Sequence, residues 1–185
     1  TTVEGSAFKY CSSLKTVHGG KSIANYESSS FDDTEWYKSS PVLVLGTTLL
    51  RFDSMEENVV VPDGIEVIGP KAFSSSGGKN VIMESVKLPS TVREIGEYAF
   101  SNKKNLKAIN FPDGLQTIRR DAFNGCQSLS EIVLPDSITE IGVEAFQGCS
   151  SVTKVVIPHA VSGTKTDNLL QEKVEAGLIS AGAFS

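Results

Sequence analysis

Apolar and polar positions follow one another in a fixed order along LPDSITEIGVEAFQGCSSVTKVVIP, residues 134–158, and that order recurs through much of the chain. Leu129, Ile132 and Leu134 face inward from a short predicted strand, with Glu131 and Val133 between them facing out. Pro135 ends the strand, because it has no N–H to give to a ladder and presets a turn. Asp136 and Ser137, or Asp-Gly at 63–64 and 113–114, supply turn residues. Ile138 and Ile141 return to the core. Gly142 to Gly148 predict a tight helical turn that buries Ala145 and Phe146, with Gly148 free to close it in a left-handed conformation. Cys149 and Val152 complete the inward set.

Proline recurs at Pro89, Pro112, Pro135 and Pro158, each 23 residues after the last (112 − 89, 135 − 112, 158 − 135). Ala-Phe recurs at 72–73, 99–100, 122–123 and 145–146, with outlying copies at 7–8 and 183–184. A fixed period of this length predicts stacked repeats. One repeat offers about seven apolar side chains, worth roughly 1.5–3 kcal/mol each when buried, and has nothing of its own to bury them against. Stacking solves this, and places Phe73, Phe100, Phe123 and Phe146 in one interior column.

The period is broken in three places. Pro62 to Pro89 spans 27 residues (89 − 62), and the extra four predict a bulged loop on the convex edge at SSSGGKN, residues 74–80. After Val17 the register breaks: Phe8 to Phe73 is 65 residues (73 − 8), not a multiple of 23. Residues 18–57 therefore read as an irregular rung with an insertion, carrying Phe31, Trp36 and Tyr37. Within it, VLVLGTTLLRF at 42–52 predicts two short strands turning near Gly46-Thr47. Trp36 is either an interface anchor or a plug over that rung's apolar edge. Beyond Pro158, TDNLLQEKVEAG predicts a short helix, started by Thr166 or Asp167 and ended by Gly177. It either covers the last rung or leads into an interrupted rung at Ile179–Phe184. The expected organisation is one repeat domain over 1–185: a partial repeat at 1–17, the irregular rung at 18–57, regular repeats at 58–158 and a degenerate repeat or cap at 159–185. Both ends fall within a repeat, as in a segment of a longer protein or a domain whose end rungs double as caps.

These residues resemble the BspA-like, or Treponema-type, leucine-rich repeat family, whose pattern runs hydrophobic-Pro-x-x-hydrophobic-x-x-Ile-Gly-x-x-Ala-Phe-x-x-Cys-x-x-Leu-x-x-Ile-x-Ile-Pro. Residues 134–158 match it almost throughout, with Val152 in the Leu place; residues 59–158 match as a register and 3–17 as a fragment. The resemblance implies a leucine-rich-repeat solenoid: a curved, β-rich, right-handed coil with parallel strands on one face and short strands or helical turns on the other. It also implies a surface or secreted protein, mostly bacterial, used for adhesion and protein–protein contact.

Charge and candidate chemistry narrow the function mainly by exclusion. The net charge is −5, and the longest basic clusters are Lys103-Lys104 and Arg119-Arg120, which argues against nucleic acid. No run approaches the ~20 apolar residues of a membrane helix, so no membrane insertion is expected, and no signal peptide stands at Thr1. Cys11, Cys126 and Cys149 all stand four after the Ala of Ala-Phe, where other copies have Ser76 and Lys103. They read as a column of buried reduced thiols, with a Cys126–Cys149 bridge between adjacent rungs as the alternative. No C-x-x-C or His partner suggests a metal. His18 is expected in an outward strand position and His159 in a turn, and no hydrolase, zinc, phosphate or dinucleotide motif is present. Asp32-Asp33 with Asp53, Glu56 and Glu57 lack the spacing of a calcium loop and read as a solvated face. Neither catalysis nor a cofactor is expected.

A binding site, if there is one, falls on the outward, concave face of the stacked strands. The period-2 register assigns it Asn58, Val60, Ser85, Lys87, Ala108, Asn110, Glu131, Val133, Lys154 and Val156. Val60, Val133 and Val156 form an interrupted apolar line, which serves either binding or β-propensity alone. The first functional expectation is an extracellular adhesin-type module, monomeric, binding a host or neighbouring-cell protein. The second is a spacer that displays another domain of a larger surface protein.

Overall fold

The computed structural model describes residues 2–18, 25–26, 30–74 and 82–157. Residues 75–80 of the expected loop at 74–80, the helix over 166–177, Ile179–Phe184, Pro158 and His159 lie outside them. In chain order the elements are β1 (Thr2–Val3), β2 (Asn25–Tyr26), α1 (Glu35–Lys38), β3 (Val42–Leu45), β4 (Thr48–Phe52), β5 (Asn58–Val60) and β6 (Val67–Ile68). They continue with β7 (Ser85–Lys87), β8 (Glu94–Ile95), β9 (Ala108–Ile109), β10 (Thr117–Ile118), β11 (Glu131–Val133), β12 (Glu140–Ile141) and β13 (Lys154–Val156).

From β4 onward each rung gives one strand to each of two sets. One set runs β5-β7-β9 and then β11-β13; the other runs β12-β10-β8-β6-β4, with β3 at its end. All these neighbours are parallel except the β3–β4 hairpin. Parallel neighbours require a crossover, and each turn of the coil supplies it. The architecture is a leucine-rich-repeat solenoid.

The predicted inward residues form the core. Leu129, Ile132, Leu134, Ile138, Ile141, Ala145, Phe146, Cys149 and Val152 are all buried, as are most of their counterparts in the rungs before, Lys103, Ile109 and Phe111 being only partly so. The phenylalanine column is continuous: Phe73–Phe100, Phe100–Phe123 and Phe123–Phe146 stack with ring centroids 4.5, 5.1 and 5.1 Å apart. Phe52 extends it by one ring, 5.2 Å from Phe73. Stacked parallel rings fix the rung spacing as well as burying area.

The Ala-Phe segment is a run of hydrogen-bonded turns in which every second N–H leaves the rung. Ala145 and Gln147 donate to Gly142 and Glu144, three residues back, at 3.2 and 3.1 Å. In the rung before, Asp121, Phe123 and Gly125 donate across to Val143, Ala145 and Gln147 at 3.1, 2.7 and 2.7 Å. This alternation needs two left-handed residues per rung. Gly125 and Gly148 (φ +75° and +71°) supply one, as the sequence suggests for Gly148. The other falls on non-glycine residues directly before the alanine: Lys71, Tyr98, Asp121 and Glu144, with φ between 54° and 58°. A left-handed L-residue costs roughly 1–2 kcal/mol, here offset by the cross-rung bonds. Gly142 has a different reason to be glycine, since a Cβ there would lie 2.3 Å from the Arg120 nitrogen of the rung before.

The region before β4 follows the same offset further than the sequence suggests. β1 pairs with β2, Thr2 opposite Asn25 and Val3 opposite Tyr26, an offset of 23 (25 − 2). Phe8 stacks on Phe31 at 5.1 Å, and the Phe8 and Tyr10 N–H groups donate to Ser30 and Asp32 at 2.8 and 3.2 Å. Ser30-Phe31 thus stands in the Ala-Phe place and Thr34 in the cysteine place, and the substitutions hide the repeat. The register departs after Thr34, which caps α1 by accepting from the Tyr37 N–H at 3.0 Å. β3 and β4 then turn at Gly46 and Thr47, with Gly46 at φ +64°, as expected. Phe31, Leu43, Leu45 and Leu50 form a second core, joined by Val3, Leu14, Val17, Trp36 and Tyr37. Trp36 is half-buried and meets Phe31 edge-on at 4.9 Å, the plug arrangement.

Candidate functional site: the outward strand face

The strands of the β5–β13 set are two or three residues long, so each presents at most two side chains outward around one buried residue. The parallel register aligns these side chains in rows across the rungs. Asn58, Ser85 and Ala108 form one row and Glu131 and Lys154 continue it; Val60 and Lys87 form another, continued by Val133 and Val156. All are exposed except Ser85, which is half-buried.

Hydrogen bonds divide the face. The Ser85 hydroxyl donates to Asn58 Oδ1 at 2.6 Å, and Lys154 Nζ lies 3.2 Å from Glu131 Oε2. Asn110 is committed more deeply. Its Oδ1 accepts from the Leu88 N–H at 2.7 Å and its Nδ2 donates to the Leu88 carbonyl at 3.0 Å. At the same place in other rungs the bond is backbone to backbone: Val61 donates to Lys87 at 2.9 Å and Leu134 to Val156 at 3.0 Å. The Asn110 side chain therefore stands in for a carbonyl, and β9 ends at Ile109. The strand set divides here, β9 and β11 being unpaired as strands. Phe111, where Leu88 and Leu134 stand in neighbouring rungs, lies edge-on to Phe123 and Phe146 at 5.6 and 6.2 Å. Sequence reading missed this seam, although Asn-Phe in place of Lys-Leu was its visible sign.

What projects from the face is thus chiefly Val60, Val133 and Val156, with Ala108 and Lys87 between them. Val60 is 64% exposed and Val133 and Val156 42% each. β-strand geometry brings nine of these residues onto one side, Asn110 lying one place past the end of β9, and the ion pair and Asn110 occupy much of its polar capacity.

Other candidates are placed by the structure as supports of the fold. Cys126 and Cys149 are buried free thiols donating to the Phe100 and Phe123 carbonyls at 3.2 and 3.4 Å, and burial pushes both up to about 12. Cys11, expected in the same buried column, is instead exposed; among the described residues no rung covers its outer side. Lys103 shares the column, and its ammonium is lowered from its ordinary value by desolvation. Asp53, read as part of a solvated acidic face, is buried. It accepts from Arg51 Nε at 2.8 Å, and the same guanidinium donates to the Tyr37 carbonyl at 2.7 Å. Burial pushes the Tyr37 phenol up to about 12. Arg119 bridges Glu94 and Glu140 across three rungs at 2.9 and 3.2 Å, and the Glu94 hydrogen bond raises its pKa. His18 is exposed and outside any strand. Among the described residues, no group of three His, Cys, Asp or Glu side chains could hold a metal, and no helix is long and apolar enough to cross a membrane.

The pattern that defines the BspA type leucine rich repeat region matches the chain in 6 copies, over residues 1–81 and 79–175. Among solved structures, the T. pallidum leucine rich repeat protein TpLRR is 36% identical with a TM-score of 0.59, over 66% of this chain and 57% of that one. The pneumococcal vaccine antigen PcpA is 25% identical with a TM-score of 0.60, over 75% of this chain and 37% of that one. The chain thus spans little more than half the length of the first of these relatives and less of the second. No curated protein matches the chain. The fold is typical of protein-interaction and adhesion modules.

Proposed function

This chain belongs to the BspA-type leucine-rich repeat family, and we propose that it is a non-catalytic, extracellular interaction module of the adhesin type. The reading takes residues 1–185 as one repeat domain acting as a monomer, with a host or neighbouring-cell protein as partner. One observation carries it: Val60, Val133 and Val156 stand exposed on a strand face whose polar neighbours are largely bonded to one another. Apolar groups held on a rigid ladder lose little freedom when covered, which favours binding. The family's surface proteins supply the cellular setting.

The test is a pull-down against extracellular-matrix, plasma and bacterial-surface proteins, with a Val133→Glu, Val156→Glu double variant alongside. Capture by the native chain and loss in the variant is the expected result. Capture that survives both this variant and a folded Glu131→Ala, Lys154→Ala variant would remove the strand face as the site. No capture by either protein would favour the second reading, a spacer displaying another domain. That reading is supported by the Asn110 contacts, which tie a face residue to the scaffold, and by the ion pair, which ties two face residues to each other.

A further inference from the structure

The outward strand face offers a partner side chains and no backbone. Where the strands of the β5–β13 set pair, their N–H and C=O groups run along the coil from rung to rung, and at the strand ends Val61 donates to Lys87 at 2.9 Å and Leu134 to Val156 at 3.0 Å. The row that begins at Asn58 is closed as well: Ser85 donates to Asn58, and Lys154 pairs with Glu131. Just before the strands, Lys107 Nζ lies 2.7 Å from Glu84 Oε1. The row from Val60 to Val156 differs. Asn110 is turned onto Leu88, and three exposed valines and Lys87 remain open. Lys87 is the one charged residue of these strands that makes no ion pair among the described residues.

Neighbouring rungs stand one strand spacing apart, about 4.8 Å, and the stacked phenylalanine rings keep that interval, with centroids 4.5 to 5.1 Å apart. Counted from Val60, Lys87 stands about 5 Å along the row, Val133 about 14 Å and Val156 about 19 Å. An α-helix lying along the coil places residues i+3, i+10 and i+14 on the same face as i, about 4.5, 15 and 21 Å away. It keeps in step with the row to within about 2 Å. An extended segment also comes near the valines, but it brings open N–H and C=O groups to a face with no backbone group to meet them. A helix pairs its own. An apolar or basic residue laid over Lys87 would strip water from the ammonium and put nothing in its place. A carboxylate replaces that water with an opposite charge.

We infer that the row from Val60 to Val156 seats an amphipathic helix of the partner protein, laid along the coil with an Asp or Glu over Lys87 and apolar residues over Val60, Val133 and Val156. The inference rests on the strand-face reading above and names the chemistry of its partner. The valines supply the apolar contact, and Lys87 sets the position of the helix along it. The closed pairs of the neighbouring row border the seat without competing for the helix's carboxylate.

The test selects two displayed libraries on the native chain: a stable three-helix bundle randomised along one face of one helix, and linear peptides of the same length. The helical library should yield binders with an acidic residue one turn from a terminal apolar residue and two apolar residues beyond. Their affinity should fall at least tenfold on the Val133→Glu, Val156→Glu chain and at least tenfold on a Lys87→Glu chain. Exchanging the helix's acid for Lys should restore binding to the Lys87→Glu chain. Binders that need the valines but are indifferent to Lys87→Glu would overturn the inference and leave the strand-face reading standing. So would valine-dependent binders that arise from the linear peptides alone. A yield made up wholly of binders indifferent to the valine pair would remove both.

Discussion

Phe123 and Phe8 occupy one place in the repeat, yet one is sealed between two parallel rings and the other shows nearly half its surface. The same contrast separates residues 58–157 from residues 2–53. The later region is held by repetition: each turn bond, ring and strand residue is seconded by its counterpart one rung away. The earlier region keeps the 23-residue offset only through Thr34, then substitutes single devices: a capped one-turn helix, a hairpin, and a partly buried Arg51–Asp53 pair. Repetition spreads stability over many equivalent contacts, whereas a single device concentrates it in one.

That contrast can be broken most sharply at the column. Phe123→Ala should cost about 3–5 kcal/mol as a buried large-to-small change, and should uncouple the rungs on either side. Phe8→Ala, at the same repeat position, should cost only about 1 kcal/mol. Equal losses in urea denaturation would show that position in the repeat, not burial, sets the cost.

Next in size is the single device. Arg51→Ala leaves the Asp53 carboxylate buried without its cation and should cost about 3 kcal/mol. The loss should appear chiefly in the exchange of amides between residues 30 and 53, with those beyond 82 little affected. Uniform loss of protection would mean the two regions melt as one.

Alkaline pH should weaken the regular region from a lower pH than the earlier one. Burial holds the Cys126 and Cys149 thiols at about 12 instead of their ordinary 9.0. The unfolded chain releases those protons above pH 9 while the folded chain keeps them, so stability is full below pH 9 and falls as pH rises towards 12. Tyr37, also about 12, adds to the fall above pH 10. Thermal melts of a Cys126→Ala, Cys149→Ala variant should show a shallower decline than the native chain.

The smallest effect is conformational. Gly148→Ala meets no backbone closer than 3.4 Å, so its cost of about 1 kcal/mol should come from φ alone. Gly148→Asn, which tolerates that region better, should cost less in the same denaturation experiment.

How much of this was legible depends on whether a residue was copied or improvised. The inward set from Leu129 to Val152 could be read because each member recurs at a fixed offset with the same chemistry. The outward face followed from the same register, since alternation places every second strand residue outside. Ser30-Phe31 escaped because Ser for Ala and Thr for Cys keep the volume and alter the letters. Asp53 was misread because its partner Arg51, two residues before it, gave no sign that the pair is folded in against the Tyr37 carbonyl. The left-handed residues before each alanine left no glycine as a signal: Lys71, Tyr98, Asp121 and Glu144 share a conformation and no chemistry. Asn110 showed itself only as a departure from Lys87 and Val133, and departures carry no meaning until the backbone they replace is seen.

The forward-pointing turn bonds also have a mechanical consequence. Bonds that run along the coil's axis, in series from rung to rung, carry a pull between the two ends one rung at a time. Each rung that parts frees 23 residues, about 80 Å of extended chain. Stretched singly, the regular region should lengthen in even steps of that size, a ratchet of small yields in place of one rupture. The hairpin at β3 and β4, paired antiparallel and out of period, would interrupt the rhythm. A tether built this way could take up the tug of a moving surface by giving ground, and recover rung by rung when the load is lifted.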